Sequence, residues 1–258
     1  QGVCNTKEEY YQKPQDVVRL FIHEAERVIC DRLVNDKDIA EFERILEETV
    51  RKEVLAHVKI DEAKLWETPR IYTNFATRSD GSYLPVATMD ALKKVLDTKL
   101  AEYNDSNAMM DLVLFNQALE HVSRIGRILM NPGGNAMLIG VGGSGKQSLG
   151  RLAAYLQQME VKQMAITGTF KVDDLKELLK EYFKTAIVKN TPLVWLMTDG
   201  QIVNDKFLVF INSILSSGWI SDLFAKDEVD ALLGAIRGEA KAAGVPDTKE
   251  ANMAFLVK

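Results

Sequence analysis

The sequence predicts an α/β fold, a parallel sheet with flanking helices, preceded by an all-helical segment. Three observations carry this. The apolar run Ala136-Met137-Leu138-Ile139 tips into the glycine-rich loop Gly140-Val141-Gly142-Gly143-Ser144-Gly145-Lys146, where helical spacing opens. Two further apolar runs, Met164-Ala165-Ile166-Thr167 and Leu193 to Thr198 closing on Asp199, alternate with helical patterns, the rhythm of a parallel sheet. Before them the apolar residues recur with helical rather than alternating spacing.

In chain order, Asp16 to Val34 sets Val17, Val18, Phe21, Ile22, Ala25, Val28, Ile29 and Leu33 on one face of an amphipathic helix. His23-Glu24 opens a zinc-like H-E-x-x-H, but position 27 is arginine, so His23 is expected to be a packed or capping residue. Asp38-Ile39-Ala40-Glu41 has capping-box form, and Ile39, Phe42, Leu46, Val50 and Leu55 continue a second helix that completes a hairpin. Residues 60–86, with Pro69, Gly81 and Pro85 among aromatics, read as a linker with irregular or extended pieces. Met89, Leu92, Leu96, Leu100 and Tyr103 mark a third helix, and Phe115 to Leu129 a fourth whose Arg124 and Arg127 are expected in solvent. Asn131-Pro132-Gly133-Gly134 is a turn.

The helix after the loop runs from Lys146 to about Gln157 and turns Leu149, Leu152, Ala153 and Leu156 inward. Another spans Asp173 to Ile187, and two more cover Asp205 to Ser217 and Asp227 to Ala243. Trp219, Leu223 and Phe224 between the last two are expected in the core.

Composition narrows the function classes. With 258 residues, 47% hydrophobic, 27% charged and a net charge of −5, the chain has material for a sizeable core and a charge balance that argues against a nucleic-acid surface. No apolar run approaches the ~18 residues of a membrane span. Cys4 and Cys30 read as free thiols of a reducing compartment, with no metal-ligand spacing. The start at Gln1-Gly2 and the apolar close at Ala254 to Val257 suggest a piece of something larger.

The chemistry concentrates in the glycine loop. Gly140, four residues, then Gly145-Lys146 matches G-x-x-x-x-G-K-[ST] except at its last place, where Gln147 stands and Ser148 follows. Glycines let main-chain amides turn toward β- and γ-phosphates, the helix N-terminus adds a positive field, and Lys146 adds a mobile cation. The missing hydroxyl would normally ligate Mg²⁺; the Gln147 amide oxygen or Ser148 is the substitute on offer. Asp199, at the end of an apolar strand some fifty residues on, is the candidate magnesium acid or catalytic base. Strand ends of such sheets meet the ligand, which would set Asp199 beside Lys146. Its neighbours are Thr198 and Gly200, so one of the two acids used by hydrolytic loops is missing, and binding is better supported than hydrolysis.

The runs Val113-Leu114-Phe115 through His121-Val122-Ser123-Arg124-Ile125, Gly140 through Leu149, and Leu152-Ala153-Ala154 resemble the fourth AAA+ module of an axonemal dynein heavy chain. Thr198-Asp199-Gly200-Gln201-Ile202-Val203, Asn212 through Gly218 and Asp222-Leu223-Phe224 resemble the same module. Phe21-Ile22-His23-Glu24-Ala25-Glu26-Arg27-Val28 and Asp31-Arg32-Leu33 are similar to the end of the third module's small helical domain. The resemblance implies a P-loop NTPase of the AAA+ class, divided into a small-domain segment over 1–60, a linker and helix over 61–106, and a large domain over 107–258 that is incomplete at its C-terminus. It also implies that the lid segment and the following large domain move as one block. The Lys-Gln-Ser loop is a departure for which this subfamily is known.

By function, the resemblance implies a regulatory ATP- or ADP-binding module, with Mg²⁺, in a six-module ring that drives microtubule sliding in cilia and flagella. Its expected partners are neighbouring modules and other dynein subunits, with microtubules reached only through a stalk absent from this chain, and neither nucleic acid nor membrane. Its expected location is the cytoplasm and the axonemal cytoskeleton. The rival is a structural spacer whose degenerate site holds nothing or holds ADP permanently. An autonomous kinase or GTPase fits less well: no N-K-x-D occurs, and Asn35-Asp36-Lys37-Asp38 has the wrong order.

Overall fold

The computed structural model describes residues 2–257. The chain divides into two compact units, Gln1–Asn131 and Pro132–Lys258.

The first unit is mostly helical. Helix α1 (Pro14–Ile29) starts on a proline, whose missing N–H costs nothing there, and runs into a 3-10 turn at Cys30–Arg32. Helix α2 (Asp36–Val50) is capped by Asn35, whose side chain accepts from the Lys37 amide at 2.9 Å. The capping box expected at Asp38 is therefore displaced: the helix has already begun there, because Asn35 offers its oxygen one turn earlier. A π-helical turn, Arg51–Leu55, ends the hairpin.

The segment read as a linker is more ordered than expected. It holds a short helix α3 (Glu62–Trp66) and an antiparallel pair, β1 (Tyr72–Thr73) with β2 (Leu84–Pro85), in register Tyr72↔Pro85 and Thr73↔Leu84. Helices α4 (Met89–Ser106), capped by Thr88, and α5 (Asn116–Leu129) complete the unit.

Helix α1 buries only part of the face its apolar residues mark: Ile22 is fully buried and Val18 and Ala25 pack against its cluster. Val17, Phe21, Val28 and Ile29 are exposed, while Leu20, Ile22, His23, Glu24 and Glu26 are buried. The reason is a pair of arginines. Arg127, expected in solvent, instead grips Glu24 with both prongs, Nε donating to Oε1 at 3.0 Å and Nη2 to Oε2 at 2.5 Å. Arg70 donates to a single oxygen of Glu26, Nε and Nη2 both reaching Oε1 at 3.1 and 2.5 Å. His23 is packed, as expected. Its Nδ1 donates to the Arg70 carbonyl at 2.6 Å, and its Nε2 lies 3.0 Å from the Tyr83 hydroxyl, which in turn donates to Glu24 at 3.1 Å. Every member of this cluster has a partner, the condition under which buried charge is tolerated.

The second unit carries the parallel sheet. Helix α6 (Lys146–Leu156), strand β3 (Glu160–Lys162), helix α7 (Val172–Val188) and strand β4 (Leu193–Trp195) follow in order. β3 and β4 pair in parallel, Val161 opposite Val194, and a 2.8 Å bond from the Leu196 amide to the Lys162 carbonyl extends the ladder. Helices α8 (Lys206–Ser217), α9 (Lys226–Ala242) and α10 (Lys249–Leu256) come after; α10 was not anticipated. Gly218 ends α8 at φ +69°, a left-handed turn that favours glycine, and a Cβ there would stand 3.1 Å from Val257.

Its core gathers Leu175, Leu179, Phe207, Ile220, Leu223, Phe224 and Leu232. Trp219 stacks on Phe224 at 5.5 Å and Phe183 meets Trp219 edge-on at 5.4 Å, so the aromatics between α8 and α9 are core, as expected.

Two expected strands do not form. Ala136–Ile139 is irregular, with Met137 and Ile139 each 86% exposed, and it pairs with neither β3 nor β4. A strand exists only by pairing, and among the described residues no neighbour offers it a ladder. Met164 is buried, but the ladder closes before it, at Glu160–Lys162, and the Met164 carbonyl accepts from the Gln201 side chain instead.

Candidate functional site

The loop Gly140 to Gly145 leads directly into α6, with Gly143 at φ +74° and Gly145 at φ +75°, conformations that favour glycine. These two residues let the chain reverse into the first turn of α6, whose early amides have no helical partner. Lys146 does not extend away. Its Nζ donates to the Gly140 carbonyl at 2.8 Å, the Val141 carbonyl at 2.6 Å and the Ser144 hydroxyl at 3.1 Å. An ammonium has three donors, and all three face the loop. The loop is thus drawn around its own cation, and a polyphosphate would have to exchange its oxygens for these three.

Gln147 is exposed and turned to a neighbour: its Oε1 accepts from Gln163 Nε2 at 3.2 Å, and Gln163 Oε1 accepts from the Arg151 guanidinium. The hydroxyl of Ser148, the next residue on α6, has no hydrogen-bond partner among the described residues. Asp199 stands four residues beyond the end of β4, at the start of a 3-10 turn, Asp199–Gln201, and is exposed. Gln201 fixes that turn by accepting from the Thr198 amide at 2.9 Å and donating to the Met164 carbonyl. Among the described residues no hydrogen bond or ion pair joins Asp199 to Lys146. The structure therefore brings Gly140, Val141, Ser144 and Lys146 together and Gln147 to Gln163, and among the described residues the side chains of Ser148 and Asp199 engage no partner.

Residues 110–258 match the family model for the P-loop containing dynein motor region D4, and residues 1–62 match the AAA+ lid domain. The chain belongs to the dynein heavy-chain AAA+ family. It is 45% identical over 253 residues to the dynein beta chain of the flagellar outer arm of Chlamydomonas reinhardtii, covering 97% of this chain and 6% of that one. It is 44% identical to the ciliary dynein beta chain of Heliocidaris crassispina and 42% to dynein axonemal heavy chain 17 of Homo sapiens, each over 100% of this chain and 6% of theirs. The dynein module thus spans about 6% of the length of these relatives.

Magnesium is the ion that AAA+ loops imply, and this dynein module offers it a poor donor set. Mg²⁺ demands oxygens in near-octahedral order at ~2.1 Å. The position after Lys146 gives an amide whose oxygen already accepts from Gln163, in place of a hydroxyl. Ser148 lies one residue further, about 100° around the helix. Among the described residues no group of three or more His, Cys, Asp or Glu is gathered in a way that could hold a metal.

Sequence reasoning missed Gln163, Arg151 and Gln201. Only Gln201 had a signal, since Thr198-Asp199-Gly200-Gln201 is itself a capping box. Gln163 follows β3 and reaches Gln147 only because α6 folds back along that strand, a neighbourhood that local spacing does not encode.

Proposed function

We propose that this chain is a regulatory adenine-nucleotide-binding module of a dynein motor heavy chain, with little or no hydrolysis of its own. The observation that carries this is the Lys146 ammonium seated in a glycine loop at the start of α6, its three donors on three loop oxygens. On binding, Lys146 leaves those oxygens for the β- and γ-phosphates, and the amides of Gly142 to Lys146 take the remaining oxygens. Asp199 flanked by Thr198 and Gly200 supports slow turnover, because a water attacking the γ-phosphate needs an acid-bearing neighbour to orient it.

In this reading ATP or ADP biases the module between two arrangements with its ring neighbours, which requires different affinities for the two. Its partners are the neighbouring AAA+ modules and other dynein subunits, and microtubules are engaged elsewhere in the heavy chain. The relatives named for cilia, flagella and axonemes support a place in the axoneme. A structural spacer is the second reading, favoured by the same lysine geometry if the loop never opens. Equilibrium titration with ATP and ADP separates them: saturable binding abolished by Lys146→Ala supports the regulatory site, and no binding supports the spacer.

A further inference from the structure

Building on the phosphate-cradle reading, we infer that the Gln147–Gln163–Arg151 chain makes this loop bind adenine nucleotide with no preference for its magnesium complex. Gln147 occupies the position whose hydroxyl ordinarily touches the metal. Its carbonyl oxygen accepts from Gln163 at 3.2 Å, and Gln163 is itself held by the Arg151 guanidinium, four residues after Gln147 on the same helix. The relay starts and ends on α6 and passes through the residue that follows β3. It draws the amide toward the strand end and gives its acceptor a charge-backed partner.

Ser148 does not stand in, since successive helical residues diverge by about 100°. Asp199 is exposed on its 3-10 turn, and a carboxylate there acts on a loop-bound metal through water rather than directly. The metal therefore gains no direct side-chain bond, and the polyphosphate charge is met by Lys146 and main-chain amides whether or not magnesium is present.

The test is anisotropy titration of the chain with a fluorescent ATP analogue, in excess magnesium and in EDTA. The expected dissociation constants agree within about threefold. Gln147→Thr, which supplies the hydroxyl, is expected to tighten binding about tenfold in magnesium only. Gln163→Leu and Arg151→Gln, which release the relay at its middle and its end, are expected to raise the magnesium preference about fivefold. Parent binding that tightens tenfold or more with magnesium overturns the inference while leaving the cradle standing. So does a magnesium ratio unchanged in both relay variants, provided each still binds in EDTA as the parent does. No binding in either buffer, or binding unaffected by Lys146→Ala, removes the cradle and the inference together.

Discussion

At the scale of single residues, the buried cluster around Glu24 sets how the first unit responds to acid. Burial, helped by the nearby Arg27 charge, lowers the His23 imidazole to about 3. Burial alone would raise the Glu24 carboxyl, but the hydrogen bonds and charge of Arg127 prevail and hold it below the usual carboxylate range. Both folded values lie below the unfolded ones, so the unfolded chain binds more protons, and stability falls as pH falls. The His23 contribution is complete above about pH 6.5 and drains away toward pH 3, by up to about 1.4 kcal/mol per unit; Glu24 adds a loss of the same sign at the acid end. Urea unfolding between pH 7 and 4 should show this slope, and His23→Gln, which stays polar but does not titrate, should flatten it. An unchanged slope in His23→Gln would place the acid sensitivity elsewhere.

The Glu24–Arg127 pair makes a second residue-scale prediction. Side-chain exposures of 9% and 11% mean that removing one partner strands the other charge in the interior. Glu24→Gln or Arg127→Met should each cost about 3–5 kcal/mol, and the double variant less than the sum. Additive losses in a double-mutant cycle would mean that the two do not interact.

At the scale of elements, exposure separates what holds the second unit from what lies idle on it. Phe207 is fully buried, so Phe207→Ala should destabilise by about 3–5 kcal/mol. Ile139→Lys should change stability by less than about 0.5 kcal/mol, although the sequence marks that run as buried strand. Denaturant midpoints read both, and a large loss from Ile139→Lys would mean that the run is paired in solution. The contrast shows what was legible. Helices α4 to α9 were readable because their apolar spacing and caps are local, as with Thr88 for α4 and with Asp174, which accepts from the Lys171 amide at 2.7 Å for α7. Ala136–Ile139 and Met164–Thr167 were misjudged because an apolar run records a wish for burial but not the presence of a pairing partner. The charged part of the buried face of α1 was hidden for a different reason: Glu24 and Glu26 look like solvent-side residues until Arg127 and Arg70, more than forty positions away, meet them.

At the scale of the whole molecule, the glycine loop, the lid match and the short parallel sheet are the features on which the proposed nucleotide-responsive role rests. The glycine loop opening into α6 at Lys146 was legible in the sequence, whereas the role given to Asp199 belongs to the proposal. That the lysine closes on Gly140, Val141 and Ser144, and that Gln147 is held by Gln163, was not, since both depend on folded geometry. With Thr198 and Gly200 beside Asp199, phosphate release from ATP by the chain should stay near the uncatalysed background, whereas robust turnover lost in Asp199→Asn would show a competent hydrolytic site.

The most direct measurement is calorimetric titration of the chain with ADP and ATP, parent against Lys146→Ala. The expected result is one saturable site in the parent and at least about a hundredfold weaker binding in the variant, since a cation that meets two phosphates is removed. Equal affinity in the two proteins, or no heat in either, would contradict the claim that this loop grips a nucleotide.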